Sequence, residues 1–351
     1  MSTTTPVKKP ELLEKRRGTL KFKHFQTERV ERINIVNYEF RQMLSKINNG
    51  TGILKLVKNI ETNQYYCMKI LKKIDIMEPK VAERLYNEYQ LIRRIYHPFI
   101  IQLKGINNKD NKYLYEMFEF VQGGEFSYRL SQGLFSEAQA IFYSAIALTV
   151  MDYLHRQNII MRNISPDNIL FTSDGYIKFI NFIDSKHLKN EYTNTLCGDP
   201  EYNSPEMIMR KGHTKSHDIW TLGIFIYHML LGHTPFEDID PTKVQQKILD
   251  GKVKYPKCLS HEAKNLIKHL LKIEPKKRIG CGQKGIVEII YDPFFKGFDW
   301  TNLLLQNLKA PYIPDITDAN KNFSKYVDDF FDEYDNELII NTNKDPFQKW
   351  D

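Results

Sequence analysis

Two short segments hold the side chains with most chemistry to offer, IIMRNISPDNIL at 159–170 and YIKFINFIDSK at 176–186. They supply a guanidinium (Arg162), a group of amides and a hydroxyl (Asn163, Ser165, Asn168, Asn181) and two carboxylates (Asp167, Asp184). Upstream stand Lys69, in CMKI, and Glu88, in a segment of helical periodicity. Handling a phosphate takes positive charge on its oxygens, hard oxygen ligands for a divalent cation, and an anionic oxygen to draw a proton off an alcohol. Lysine and basic side chains are present. Asn163 and Asn181, however, stand where that chemistry asks for carboxylates. Taken alone, Lys69 and Glu88 read equally well as two surface charges, so the elements that would carry them decide.

Those elements read as two lobes. Residues 38–71 alternate like strands and end in QYYCMKIL. EPKVAERLYNEYQLIRRIY (78–96) has helical periodicity with Pro near its start, and YLYEMFEFV (113–121) is strand-like up to Gly123-Gly124. Helices follow. SEAQAIFYSAIALTVMDYLHRQ (136–157) opens on Ser136, a fitting N-cap, and HDIWTLGIFIYHMLLG (217–232) is apolar enough for a core and closes on Gly. A small β-rich lobe thus precedes a larger helical one, with the joint near 121–125.

Composition limits the alternatives. At 351 residues the chain is long enough for two packed lobes with extensions. A net charge of +7, without an Arg-rich stretch, does not point to nucleic acid. The four cysteines form no CxxC, which fits a reduced compartment and argues against metal or disulfide roles. The N-terminus has no apolar signal region, Ser2 excludes N-myristoylation, and no run is long enough to span a bilayer. The expectation is a cytoplasmic protein, with cytoskeletal or ciliary association as an unsupported extra, and with neither nucleic acid nor membrane as partner. Charge is uneven: residues 1–37 carry nine Lys/Arg against four Glu, and residues 315–351 carry ten Asp/Glu against four Lys. Solvated arms are the simplest expectation for such runs.

The order Lys69, Glu88, HPFI, EFVQGGE, RNISPDN, INFID follows the ordered signature set of a protein kinase, with some members altered. Residues 38–351 resemble the catalytic portion of the cyclic-AMP- and cyclic-GMP-dependent protein kinases, a group of AGC-type kinases. YCMKILKK, LCGDPEYNSPE, KGHTKSHDIWTLGI, KRIG, FFKGFDW, APYIP and FQKW carry that likeness. The resemblance implies an α+β bilobal kinase fold. It divides the chain into a basic N-terminal extension (1–37), a kinase-like domain (38–295) and an AGC-type C-terminal tail (296–351). Residues 1–37 leave no room for a cyclic-nucleotide-binding domain.

Set against the family pattern, the reaction centre is altered. Asn163 replaces the Asp that accepts the substrate proton, and an amide, whose nitrogen lone pair is delocalised, takes no proton at relevant pH. Losing such a base costs about 10²- to 10⁴-fold in rate. Ser165 replaces a Lys that touches the phosphate. Asn181-Phe182-Ile183 replaces Asp-Phe-Gly, so the metal loses a charged ligand and only Asn168 remains of the pair. Of the glycine loop only Gly52 stays in register, with Ile47 and Asn49 crowding the phosphate approach. Asp199 replaces a bracing Thr. Asp184 lies close enough in sequence to compensate, but an exposed loop Asp is the simpler expectation.

Other family positions persist. The resemblance assigns nucleotide contacts to Gly52, Lys69, Glu88, Glu125, Asn168, Phe323 and Tyr326. It makes Thr195 a phosphorylation site, with Arg162, Arg84 and Lys186 as partners of its phosphate. Glu206 and Arg278 become a buried ion pair, Asp218 a backbone brace, and Phe347 and Trp350 docking side chains of the tail. Glu125 and Asp167 match acids that read basic residues in substrates, while a third such acid is His228 here. The favoured expectation is therefore a pseudokinase that needs no cofactor and works through protein partners, such as a regulatory subunit or a cytoskeletal assembly. Two alternatives stand beside it: a weakly active or unconventional Ser/Thr kinase using ATP, with Asp184 or Asp167 in compensation, and an ATP-binding switch without turnover. Magnesium binding is expected to be weak or absent.

Overall fold

A computed structural model describes residues 12–16, 19–22, 30–47, 51–188, 192–316 and 345–350. Its first strands, β1 (Leu12–Arg16) and β2 (Thr19–Phe22), form an antiparallel pair. The small lobe is a six-stranded sheet of β3 (Glu31–Arg32), β4 (Tyr38–Ile47), β5 (Gly52–Asn59), β6 (Tyr65–Lys72), β7 (Leu103–Asn107) and β8 (Tyr113–Glu119), in the order β3-β7-β8-β6-β5-β4. Strand β3 pairs in parallel with β7, so the basic N-terminal segment supplies an edge to this sheet rather than beginning beyond it. The β5–β6 turn is set by Asn59, whose side chain accepts from the N–H groups of Glu61 (3.0 Å) and Thr62 (2.9 Å), and by Asn63, which takes the left-handed conformation that Asn tolerates (φ 58°).

Between β6 and β7 lies α1 (Pro79–Ile92), with Pro at its first turn, where its missing N–H costs nothing. Ala82, Leu85, Tyr89 and Ile92 recur at helical spacing and are buried. One sheet face packs with this helix into the main core. The other gathers Ile33, Met43, Ile53, Val57, Met68, Ile70, Tyr115 and Met117 into a second cluster.

The large lobe holds α2 (Phe126–Ser131), α3 (Glu137–Arg156), α4 (Pro205–Ile208), α5 (Lys215–Leu231), α6 (Pro241–Asp250), α7 (His261–Leu270), α8 (Val287–Ile290) and α9 (Trp300–Leu304), with short strands β9 (Ile159–Ile160), β10 (Ile169–Phe171), β11 (Ile177–Phe179) and β12 (Lys186–His187). Ser136 caps α3 through the N–H of Gln139, whose side chain returns the bond to Ser136, a reciprocal capping box. Gly232 ends α5 at φ 78°, a conformation that favours glycine. Both helices match their expected spans within two residues. Among the described residues no helix is long and apolar enough to cross a membrane. The chain has the bilobal, α+β protein-kinase fold.

Candidate active site

Lys69 sits inside the sheet, opposite Glu116 in the β6–β8 register. Its ammonium lies 3.0 Å from Glu88 Oε2 on α1 and 2.9 Å from Glu116 Oε2 on β8. Burial works against the lysine's charge, but the two carboxylates more than offset it and hold its pKa above the usual value. Burial pushes the Glu116 carboxyl up, and Lys69 pulls it back without cancelling the rise. Glu116 was not singled out from the sequence. The available signal was a lone acid inside the apolar strand YLYEMFEFV.

The loop after β9 is fixed from below by Asp218 on α5. Its carboxylate accepts from the N–H groups of Met161 (2.9 Å) and Arg162 (2.8 Å) and contacts His155 (2.8 Å). These bonds hold its pKa down although burial pushes it up. They also stabilise Arg162 at φ 64°, where a non-glycine residue is strained. Arg162 Nε donates to the backbone carbonyl of Asp184, while its buried Nη1 has no hydrogen-bond partner among the described residues.

Asp184 is not the exposed loop residue expected: it is 5% exposed. Its carboxylate accepts from Asn163 Nδ2 at 3.1 Å and pairs with Arg84 of α1. The reason is local. The turn after Phe182, itself buried, folds the chain back so that Ser185 N–H reaches the Phe182 carbonyl (2.9 Å) and Ser185 Oγ the Met161 carbonyl (3.1 Å). Arg84 is thus paired with the Asp184 carboxylate. Lys186 donates to Thr193 Oγ1 (3.0 Å), and Thr195 is exposed.

Ser165 and the remaining amides form a chain: Asn168 Nδ2 donates to Ser165 Oγ (2.9 Å), which donates to Asn163 Oδ1 (3.3 Å). Asn181 Oδ1 accepts from the N–H of Ile183 (3.2 Å). Asn181 Oδ1 is already engaged with a backbone donor, and neutral amides are weaker ligands for magnesium, which favours charged oxygens. Among the described residues no group of three His, Cys, Asp or Glu could hold a metal ion. Asn168 keeps the residue type that the family resemblance assigns to the metal, whereas Asn181 brings a neutral amide in place of a carboxylate.

Ile47 and Gly52 flank the phosphate-covering turn, whose residues 48–50 lie outside the described residues, as do Phe323 and Tyr326. Gly52 is required by close approach: a Cβ there would lie 2.5 Å from the Ile70 carbonyl oxygen on β6. On the substrate side, Glu125, Asp199 and His228 all feel the charge of Asp167. Burial and Asp167 raise the Glu125 pKa. Asp199 caps the 200–202 turn through the N–H of Glu201 (2.9 Å), an anchoring role that its motif position did not suggest. Burial lowers the His228 pKa, and its Nδ1 lies 2.8 Å from the Tyr202 hydroxyl, so this imidazole is packed and partnered.

The scaffold around these groups is tightly joined. Arg278 grips Glu206 with two bonds of 2.6 Å. At the chain's end Phe347 and Trp350 are buried, and Trp350 stacks on Tyr89 of α1 at 5.0 Å. Asn108 donates to the Phe347 carbonyl (2.7 Å), and the fully buried Lys73 pairs with Asp345. The APYIP segment at 310–314 lies on the large lobe, where Tyr312 packs on Phe171 and under Arg129.

Residues 42–295 match the protein kinase domain family. The human cAMP-dependent protein kinase catalytic subunit PRKX is 36% identical over 293 residues, covering 82% of this chain and 81% of that protein. Catalytic subunit 3 of Drosophila melanogaster is 37% identical over 81% of this chain and 49% of its own length. The cAMP-dependent catalytic subunit of Dictyostelium discoideum is 37% identical over 82% and 45%. These relatives are named as catalytic subunits. That finding overturns the expectation of a pseudokinase acting purely as a binding or scaffolding module, and it favours the alternative of a weakly active kinase.

Proposed function

The chain belongs to the protein kinase family, in the cAMP-dependent (AGC) group, and we propose that it is a slow serine/threonine protein kinase using ATP. The observation that carries this reading is the Lys69–Glu88 pair at 3.0 Å, which joins sheet and helix around an ammonium that can meet nucleotide phosphates. The ammonium donates to Glu88 and lies in ionic contact with Glu116, and a phosphate oxygen would take a further N–H of its three. Asp184 supports the reading as well. Its carboxylate lies one hydrogen bond from the Asn163 amide, within reach of the place where the family's proton acceptor stands. In this reading Asp184 takes the alcohol proton less well than a directly placed Asp, and the amides at 168 and 181 leave phosphate charge poorly neutralised. We assign no step to a metal ion. Glu125 and Asp167 favour basic residues in the protein substrate, and Arg162 Nη1 awaits an anion such as a phosphate on Thr195.

The test is transfer of labelled phosphate from ATP, with magnesium or manganese, to a basic Ser/Thr peptide. We expect slow transfer that Lys69→Met removes. Transfer indistinguishable from the Lys69→Met protein under both metals would sink the reading.

A further inference from the structure

We propose that Glu116 is a second, sheet-borne anchor for Lys69, which keeps the lysine in place independently of α1 and lowers the site's affinity for anionic nucleotides. The inference deepens the kinase reading, since it concerns the same phosphate-facing lysine.

Register supplies the first reason. Lys69 and Glu116 lie directly opposite in neighbouring antiparallel strands, so their side chains share one face of the sheet. Burial supplies the second. Glu116 is 2% exposed, between buried Tyr115 and Met117, where a carboxylate persists only beside a cation. From β6 it meets the Lys69 ammonium at 2.9 Å, from α1 the like charge of Glu88, and from β7 the apolar Ile106. The third reason is mechanical. Glu88 rides on a helix inserted between strands, whereas Glu116 is hydrogen-bonded into the sheet that carries Lys69. A shift of α1 would remove Glu88 and leave Glu116 in place.

The charge count then has a consequence. With both carboxylates ionised, one ammonium between them leaves one net negative charge at the point where phosphate oxygens must approach, and like charge opposes them. An uncharged nucleoside meets no such opposition.

The experiment compares ATP and adenosine binding to the full chain and to its Glu116→Gln variant, which keeps the shape and removes the charge. We expect ATP to bind about five- to tenfold more tightly to the variant and adenosine to change less than about twofold. Equal ATP affinity, or a parallel change for adenosine, would overturn the proposal by leaving Glu116 a merely structural role. A second arm needs no nucleotide: trace acetylation of Lys69 with acetic anhydride, read by mass spectrometry. Acetylation should be several-fold faster in Glu116→Gln, and faster in Glu88→Gln/Glu116→Gln than in Glu88→Gln alone. Should neither ATP nor adenosine bind the wild-type chain, the kinase reading fails and acetylation decides the role of Glu116. Unchanged acetylation rates would then overturn it.

Discussion

Asn163, in the loop after β9, and Asp184, in the turn after β11, meet directly, the amide nitrogen of one donating to the carboxylate of the other at 3.1 Å. An anionic oxygen therefore lies within a hydrogen bond of Asn163, and Arg84 fixes it from α1. If Asp184 takes the substrate proton, Asp184→Asn should lower kcat by about 10²-fold, the usual scale for a general base. Adenosine affinity should be untouched, because Asp184 does not reach Lys69. Single-turnover phosphate transfer beside an adenosine titration separates the two, and an unchanged kcat would remove Asp184 from the chemistry.

Restoring the family's Asp alone should disappoint. Asn163→Asp replaces an N–H donor with a carboxylate against Asp184, and two anions at that separation cannot both ionise freely. The gain in kcat should be small, and its pH–rate profile should shift upward as the pair shares a proton. Asn163→Asp combined with Asp184→Asn keeps one donor and one acceptor in exchanged places. That double variant should exceed either single variant by about tenfold or more. Equal rates for Asn163→Asp and the double variant would show that the pair does not interact.

Much of this was legible in the chain and some was not, for a physical reason. Ser136 with Gln139, Gly232 and the apolar stripe of α1 are local signals, and they place their elements within a few residues. The order of Lys69, Glu88, Glu206 and Arg278 identified ion pairs because motif order stands in for spatial proximity. The roles of Asp184, Glu116 and Asp199 are not given by motif order. Their roles arise when a turn folds back, two strands align or a short helix begins, so position-by-position comparison gave most weight to the carboxylates lost at 163 and 181. It weighed Asp184 but set it down as an exposed loop residue, and it missed Glu116. That asymmetry produced the pseudokinase expectation.

The docked end of the chain should act as a brace on α1. Trp350 stacks on Tyr89, one residue beyond Glu88, and its carbonyl accepts from Arg32 and Asn108. Truncating a buried Trp costs about 3–5 kcal/mol, here mostly as undocking of the segment at 345–350. In Trp350→Ala, hydrogen exchange along Tyr86–Ile92 should quicken and the melting temperature should fall, while exchange in α5 stays as it was. Unaltered exchange in α1 would mean that the segment merely rests there.

Acid sensitivity should trace in part to His97. Burial lowers its pKa to about 3 from an ordinary 6.5, with Lys178 adding to the effect. The geometry agrees, because its Nδ1 accepts from the N–H of Phe99 at 3.2 Å, and protonating that nitrogen would set two N–H groups face to face. Between pH 6.5 and 3 the unfolded chain binds a proton that the folded chain refuses, so stability falls as pH drops through that window and is retained above it. At pH 5 the contribution is about 2 kcal/mol. His213, also lowered to about 3, acts in the same direction, whereas carboxyls raised by burial, such as Glu125 and Asp199, act in the opposite one. Comparison with His97→Gln isolates the imidazole: the stability lost between pH 7 and pH 5 in urea titrations should be smaller in the variant by about that amount. A wild-type-to-variant difference that is the same at both pH values would place the acid sensitivity elsewhere.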